Sequence, residues 1–123
     1  MQKAETERVN ECIQCVLAYE SWPELDIARS WSPHIRPSLT AIDAQYVVEC
    51  LRNLTRIEKF AIRNFRLDTP ALNVFRNGLP SCTCLTRVRL DNTELGNEGL
   101  EHLLPAFHNT SITTLRLGHD NHI

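Results

Sequence analysis

Two cysteine pairs are the first candidates for chemistry in this chain. Cys12-Ile-Gln-Cys15 has the two-residue spacing of half a zinc site, and Cys82-Thr-Cys84 offers a second pair of thiols. His119, Asp120 and His122 make a third metal-type group. Each has a plainer physical reading. Cys12 and Cys15 fall one turn apart on a helix, where cysteine behaves as a small buried apolar residue, and the two histidines suit a polar turn. Covalent catalysis needs a nucleophile, a base within reach and donors for the oxyanion, and no segment resembles a nucleophile elbow or a cysteine-protease signature. The four glycines form neither Gly-x-Gly-x-x-Gly nor Gly-x-x-x-x-Gly-Lys. Two of them, in Leu95-Gly-Asn-Glu-Gly99, fit a strand-to-helix turn. The expectation is a protein that is not an enzyme and holds no metal or cofactor.

The basic residues are better placed. Lys59, Arg63, Arg87, Arg89 and Arg116 sit in short stretches that share one apolar spacing. In the stretch Leu85 to Leu95, apolar residues occupy positions 1, 4, 6 and 11. Ile57, Phe60, Ile62 and Leu67 hold the same four slots upstream, and Ile112, Leu115 and Leu117 hold the first three downstream. Successive units start 28 and 27 residues apart, at Ile57, Leu85 and Ile112. That period fits one strand and one helix per unit, stacked so that each buries the apolar face its neighbour exposes.

These residues resemble the ribonuclease-inhibitor type of leucine-rich repeat. The resemblance covers residues 39–123, most specifically Leu95-Gly-Asn-Glu-Gly-Leu-Glu-His-Leu-Leu104 and Asn109-Thr-Ser-Ile-Thr-Thr-Leu-Arg-Leu117. It implies an α/β leucine-rich repeat solenoid, with parallel strands on the concave side, helices on the convex side and an N-terminal helical cap. Similar repeats occur in intracellular receptors, GTPase-activating proteins, actin regulators and ciliary assembly components. The family usually places Asn, Cys or Thr at the ninth slot to bond backbone groups between repeats. Here the slot reads Phe65, Thr93 and Asp120, so the first repeat departs from the pattern.

The elements that must position the cations can be read from periodicity. Val9, Ile13, Val16 and Leu17 form the stripe of an amphipathic helix over residues 5–20, stopped at Trp22-Pro23. From there to Pro37 no period is clean, and an irregular capping segment is expected, with Trp22 and Trp31 packed beneath it. Residues 1–38 are thus read as cap and 39–123 as repeats, continuing into a longer array or covered by a partner. A helix follows Thr40 with Asp43 three residues on, burying Ala44, Val47, Val48 and Leu51. Thr69 is the expected N-cap of the next, with Pro70 at its first position and Gly78 and Pro80 closing it. The third begins near Asn97, buries Leu100, Leu103, Leu104 and Phe107, and is shortened by Pro105.

Alternation along each strand places Lys59, Ala61 and Arg63, then Arg87, Arg89 and Asp91, then Thr114, Arg116 and Gly118 on the solvent side. Five of these nine are basic. An acidic protein surface is the natural complement.

Composition sets bounds on the alternatives. The 123 residues are 42% hydrophobic, enough for a buried core, and carry a net charge of −2. Residues 1–53 hold 5 basic and 8 acidic side chains, residues 54–123 hold 8 and 7. That excess is too small for a general nucleic-acid footprint. The opening residues are polar, no stretch of about 18 apolar residues suits a membrane span, and five cysteines, an odd number, favour free thiols in a reducing compartment. The sequons at Asn53 and Asn109 read as polar turns. The expected role is an intracellular, cytoplasmic protein-interaction module or scaffold using Lys59, Arg63, Arg87, Arg89 and Arg116. The alternatives are a structural subunit of a cytoskeletal or ciliary assembly and a GTPase-activating-type regulator.

Overall fold

Alternating residues Arg87-Val-Arg-Leu-Asp put Val88 and Leu90 on one face and the arginines on the other, and this stretch is an extended strand. Its neighbours repeat the pattern. The computed structural model describes residues 8–14, 23–28, 37–108 and 110–118. Helix α1 (residues 8–14) precedes β1 (Glu24–Ala28) and β2 (Ser38–Leu39), then α2 (Ala41–Asn53), β3 (Lys59–Arg63), β4 (Arg66–Leu67), α3 (Thr69–Gly78), β5 (Arg87–Asp91), α4 (Gly96–Leu103) and β6 (Thr114–Leu117). The fold is mixed α/β. Four strands form one parallel sheet in the order β1-β3-β5-β6, while β2 and β4 pair separately, also in parallel.

The register follows the sequence period. Lys59 lies beside Arg87 and Phe60 beside Val88, then Val88 beside Leu115. At the base of each strand one carbonyl accepts two amides: Pro23 from Glu58 and Lys59, Glu58 from Thr86 and Arg87, and Thr86 from Thr113 and Thr114, over 2.8 to 3.2 Å. Helix α2 packs on α3 and α3 on α4. Their apolar residues share one core with Phe60, Ile62, Val88 and Leu90. Burying each such side chain contributes about 1.5–3 kcal/mol. Phe60 and Phe75 tie sheet to helix, with ring centroids 5.7 Å apart and planes tilted by 44°, a geometry worth about 0.5–1.5 kcal/mol beyond area.

Several expectations need correction. The stretch between Trp22 and Pro37 is not wholly irregular: Glu24–Ala28 is a strand, parallel to β3, with Leu25 and Ile27 fully buried. Glu-Leu-Asp-Ile-Ala alternates as a half-buried strand should, and the pairing crosses from the expected cap into the repeats. Val9 and Ile13 are buried as expected, while Val16, Leu17, Trp22 and Trp31 lie outside the described residues. Thr40 caps α2, its hydroxyl accepting the Asp43 amide at 3.1 Å. The cap of α3 is Asp68, which accepts the Ala71 amide, not Thr69; a carboxylate there also suits the positive end of the helix dipole.

Gly78 does not supply a left-handed turn. Its φ is −95°, right-handed, and the chain runs on into a 3-10 turn at Leu79–Ser81. A β-carbon at residue 78 would sit 2.5 Å from Val48 Cγ1, so glycine is there to let α3 approach α2. Helix α4 stops at Leu103, and Pro105 falls in a 3-10 turn that turns Leu104 outward and Ala106 inward. Leu117, expected in the core, is 37% exposed because nothing among the described residues covers the outer side of β6.

One side-chain bond between units runs through the eighth slot. Asn64 and Asn92 take left-handed φ values of 66° and 54°, which asparagine tolerates better than most residues, and Asn92 Nδ2 donates to Asn64 Oδ1 at 3.0 Å. At the ninth slot Phe65 and Thr93 are fully buried; Asp120 lies outside the described residues.

Gly78→Ala is expected to destabilise the protein, overpacking of this kind costing about 1–3 kcal/mol and the better helix propensity of alanine returning about 1. Urea unfolding of Gly78→Ala, Val48→Ala and the double variant checks it. The double variant should lose less than the two single losses combined, because removing the Val48 methyls makes the space.

Candidate functional site

The shared register turns the outward face of the sheet into rows of side chains. One row reads Glu24, Lys59, Arg87 and Thr114, the next Asp26, Ala61, Arg89 and Arg116. Adjacent members of a row sit on strands about 4.8 Å apart. Ala61 belongs to this face by alternation but is buried, its methyl overtopped by its longer register partners Asp26 and Arg89.

Lys59, Arg87, Arg89 and Arg116 line a single groove of about 250 Å³, with Glu24 on its β1 side. Arg87, Arg89 and Arg116 are exposed and Lys59 is half-buried. Four of the five expected contact residues thus come together. Arg63 does not join them. Its guanidinium donates to Asp26, Nε to Oδ1 at 3.2 Å and Nη2 to Oδ2. The hydrogen bond to Asp26 holds the Arg63 guanidinium above its ordinary range, aided by the charges of Asp26, Glu24 and Asp91 and opposed by partial burial.

Arg89 is also engaged, lying 3.4 Å from the Asp91 carboxylate two residues along its own strand. Gly118 makes room for that carboxylate: a β-carbon at residue 118 would overlap Asp91 Oδ1. Lys59, Arg87 and Arg116 have no ion pair with any described residue. Asp26 and Glu24 escape the repeat pattern because they belong to β1; the alternation in Glu-Leu-Asp-Ile-Ala is the signal that finds them.

The described thiols are set apart from this face. Cys82 is buried behind the helices, its Sγ 3.6 Å from the Gly78 carbonyl. Burial pushes the Cys82 and Cys50 thiols up, against the pull of Arg52 and Arg56 respectively. Cys12 lies on α1 with Sγ 3.8 Å from the Ala28 carbonyl. Among the described residues no three His, Cys, Asp or Glu side chains converge as a metal set; Cys15, His119, Asp120 and His122 lie outside them. No helix among those residues is long and apolar enough to cross a membrane.

Comparison with protein-family models, curated protein sequences and solved structures returned no match for this chain.

Two outcomes test the electrostatics. Asp26→Asn should change the urea unfolding free energy by no more than about 1 kcal/mol, since both partners are partly exposed and solvent screens the pair. For Cys82 the sign is set by linkage. A folded-state thiol held above its ordinary value keeps its proton while the unfolded chain ionises, so stability declines as pH rises past the ordinary thiol range. Unfolding midpoints measured between about pH 8 and about pH 10 should fall more steeply for the native protein than for Cys82→Ala.

Proposed function

We propose that the chain is part of a leucine-rich repeat solenoid of the ribonuclease-inhibitor type, acting as an intracellular protein-interaction module that docks a partner segment on its strand face. The observation that carries this reading is the convergence of Lys59, Arg87, Arg89 and Arg116 on one groove. Further support comes from strand-and-helix units repeating at 27 to 28 residues with continuous parallel register.

A sheet face must be polar where it meets water, and the polar residues here are sorted. Glu24 and Asp26 occupy β1, Asp91 on β5 is turned to Arg89, and Lys59, Arg87 and Arg116, without an ion pair to any described residue, occupy β3, β5 and β6. A partner bearing negative charge would be steered toward β5 and β6, and arginine forks there would hold its oxygens in pairs. A rigid sheet gives such contacts fixed spacing, as recognition without a deep pocket requires.

Arg87→Glu combined with Arg116→Glu is expected to weaken partner binding about tenfold or more, with the urea midpoint unchanged because both side chains are exposed. Quantitative pull-down of a partner recovered from cells, native chain against variant, measures this. Undiminished recovery by the variant rejects the strand face as the docking surface.

A further inference from the structure

The cations of the strand face differ in how far they are already neutralised. Arg63 is committed to Asp26 and Arg89 to Asp91. Lys59, Arg87 and Arg116 have no ion pair with a described residue, and they stand on three successive strands along the same groove. Strand spacing puts each within about 10 Å of the next, inside one Debye length. Three like charges so close repel one another, with Glu24 beside Lys59 the one described carboxylate lining the groove, and what relieves them best is compact and more than singly charged.

We propose that this groove receives a phosphate monoester on a phosphorylated segment of a partner protein, with a basic residue beside the phosphate. The inference rests on the docking role proposed above and names the partner's chemistry. A carboxylate brings one charge and two oxygens; a phosphoserine brings about −1.5 to −2 and three strong acceptors. Arg87 and Arg116 grip such oxygens in bidentate fashion, and Lys59 adds a compact point charge.

Glu24 decides between a phosphate and a simple acidic tract. It lines the same groove on the β1 side, with Asp26 next to it on the strand. A run of carboxylates lying across the strands would meet Glu24 and be repelled. A dianion held chiefly by Arg87 and Arg116 on β5 and β6, with Lys59 reaching it from the near side, stands clear of Glu24, and a flanking cation pairs with that carboxylate. A nucleic-acid strand, with a phosphate at every step, meets the same obstacle as the acidic tract.

Isothermal titration of the full chain with three synthetic peptides tests the proposal: an Arg-Gly-phosphoserine peptide, the same peptide with Glu for phosphoserine, and the phosphopeptide with Glu for Arg. The first should bind about tenfold or more tighter than either of the others. Arg87→Gln and Arg116→Gln should each weaken it about tenfold, while Arg76→Gln, an exposed change on α3, should leave it unaltered. Equal binding of the Glu peptide, still lost in Arg87→Gln, overturns the phosphate inference and leaves an acidic partner standing. Absence of phosphopeptide binding overturns it too, as does binding to phosphoinositide vesicles in place of peptide. If Arg87→Gln alters neither peptide, the docking face falls with it.

Discussion

One backbone carbonyl at the base of each strand fixes the register of the sheet. Pro23, Glu58 and Thr86 each accept the two amides that begin the next strand, and the ladder above each has no freedom to slip. A slip by one residue would send the arginines of β5 into the core and Val88 and Leu90 into water. Because the anchor recurs, the rows Lys59–Arg87 and Arg89–Arg116 are aligned across strands, and separate charges become one surface. The apolar slots supply most of the stabilisation, while the bifurcated bonds decide what lies next to what.

Much of this is legible in the chain. The slots at Phe60, Ile62, Val88 and Leu90 are apolar because they enter the core, and the same alternation exposes the cations. Strand β1 is harder to see. Pro23 stands directly before it, and the path from Glu24 to Lys59 takes 35 residues where Lys59 to Arg87 takes 28, so the repeat period does not reach it. The end of α3 misleads for another reason: glycine at a helix terminus usually marks a left-handed residue, whereas at Gly78 the missing side chain is what matters. Asp68 and Thr69 are both good caps, and only the backbone geometry separates them.

The candidate site was half visible for the same reasons. Residue type and alternation bring Lys59, Arg87, Arg89 and Arg116 to one face. Which of the five cations are already neutralised depends on Asp91, two residues from Arg89, and on Asp26, a residue 37 positions from Arg63 in sequence and one strand away in space. The contrast between Arg63, held by Asp26, and Arg87, held by nothing described, is a product of tertiary structure. Such contrasts separate a surface that merely tolerates water from one with charge to spare.

The recurring anchors also bear on how the chain can change length. Removing or duplicating a whole 28-residue unit between equivalent carbonyls such as Glu58 and Thr86 would leave every remaining strand facing the same way. Losing one residue inside β5 would invert that strand. Insertions and deletions are therefore absorbed in the turns far more readily than inside the strands.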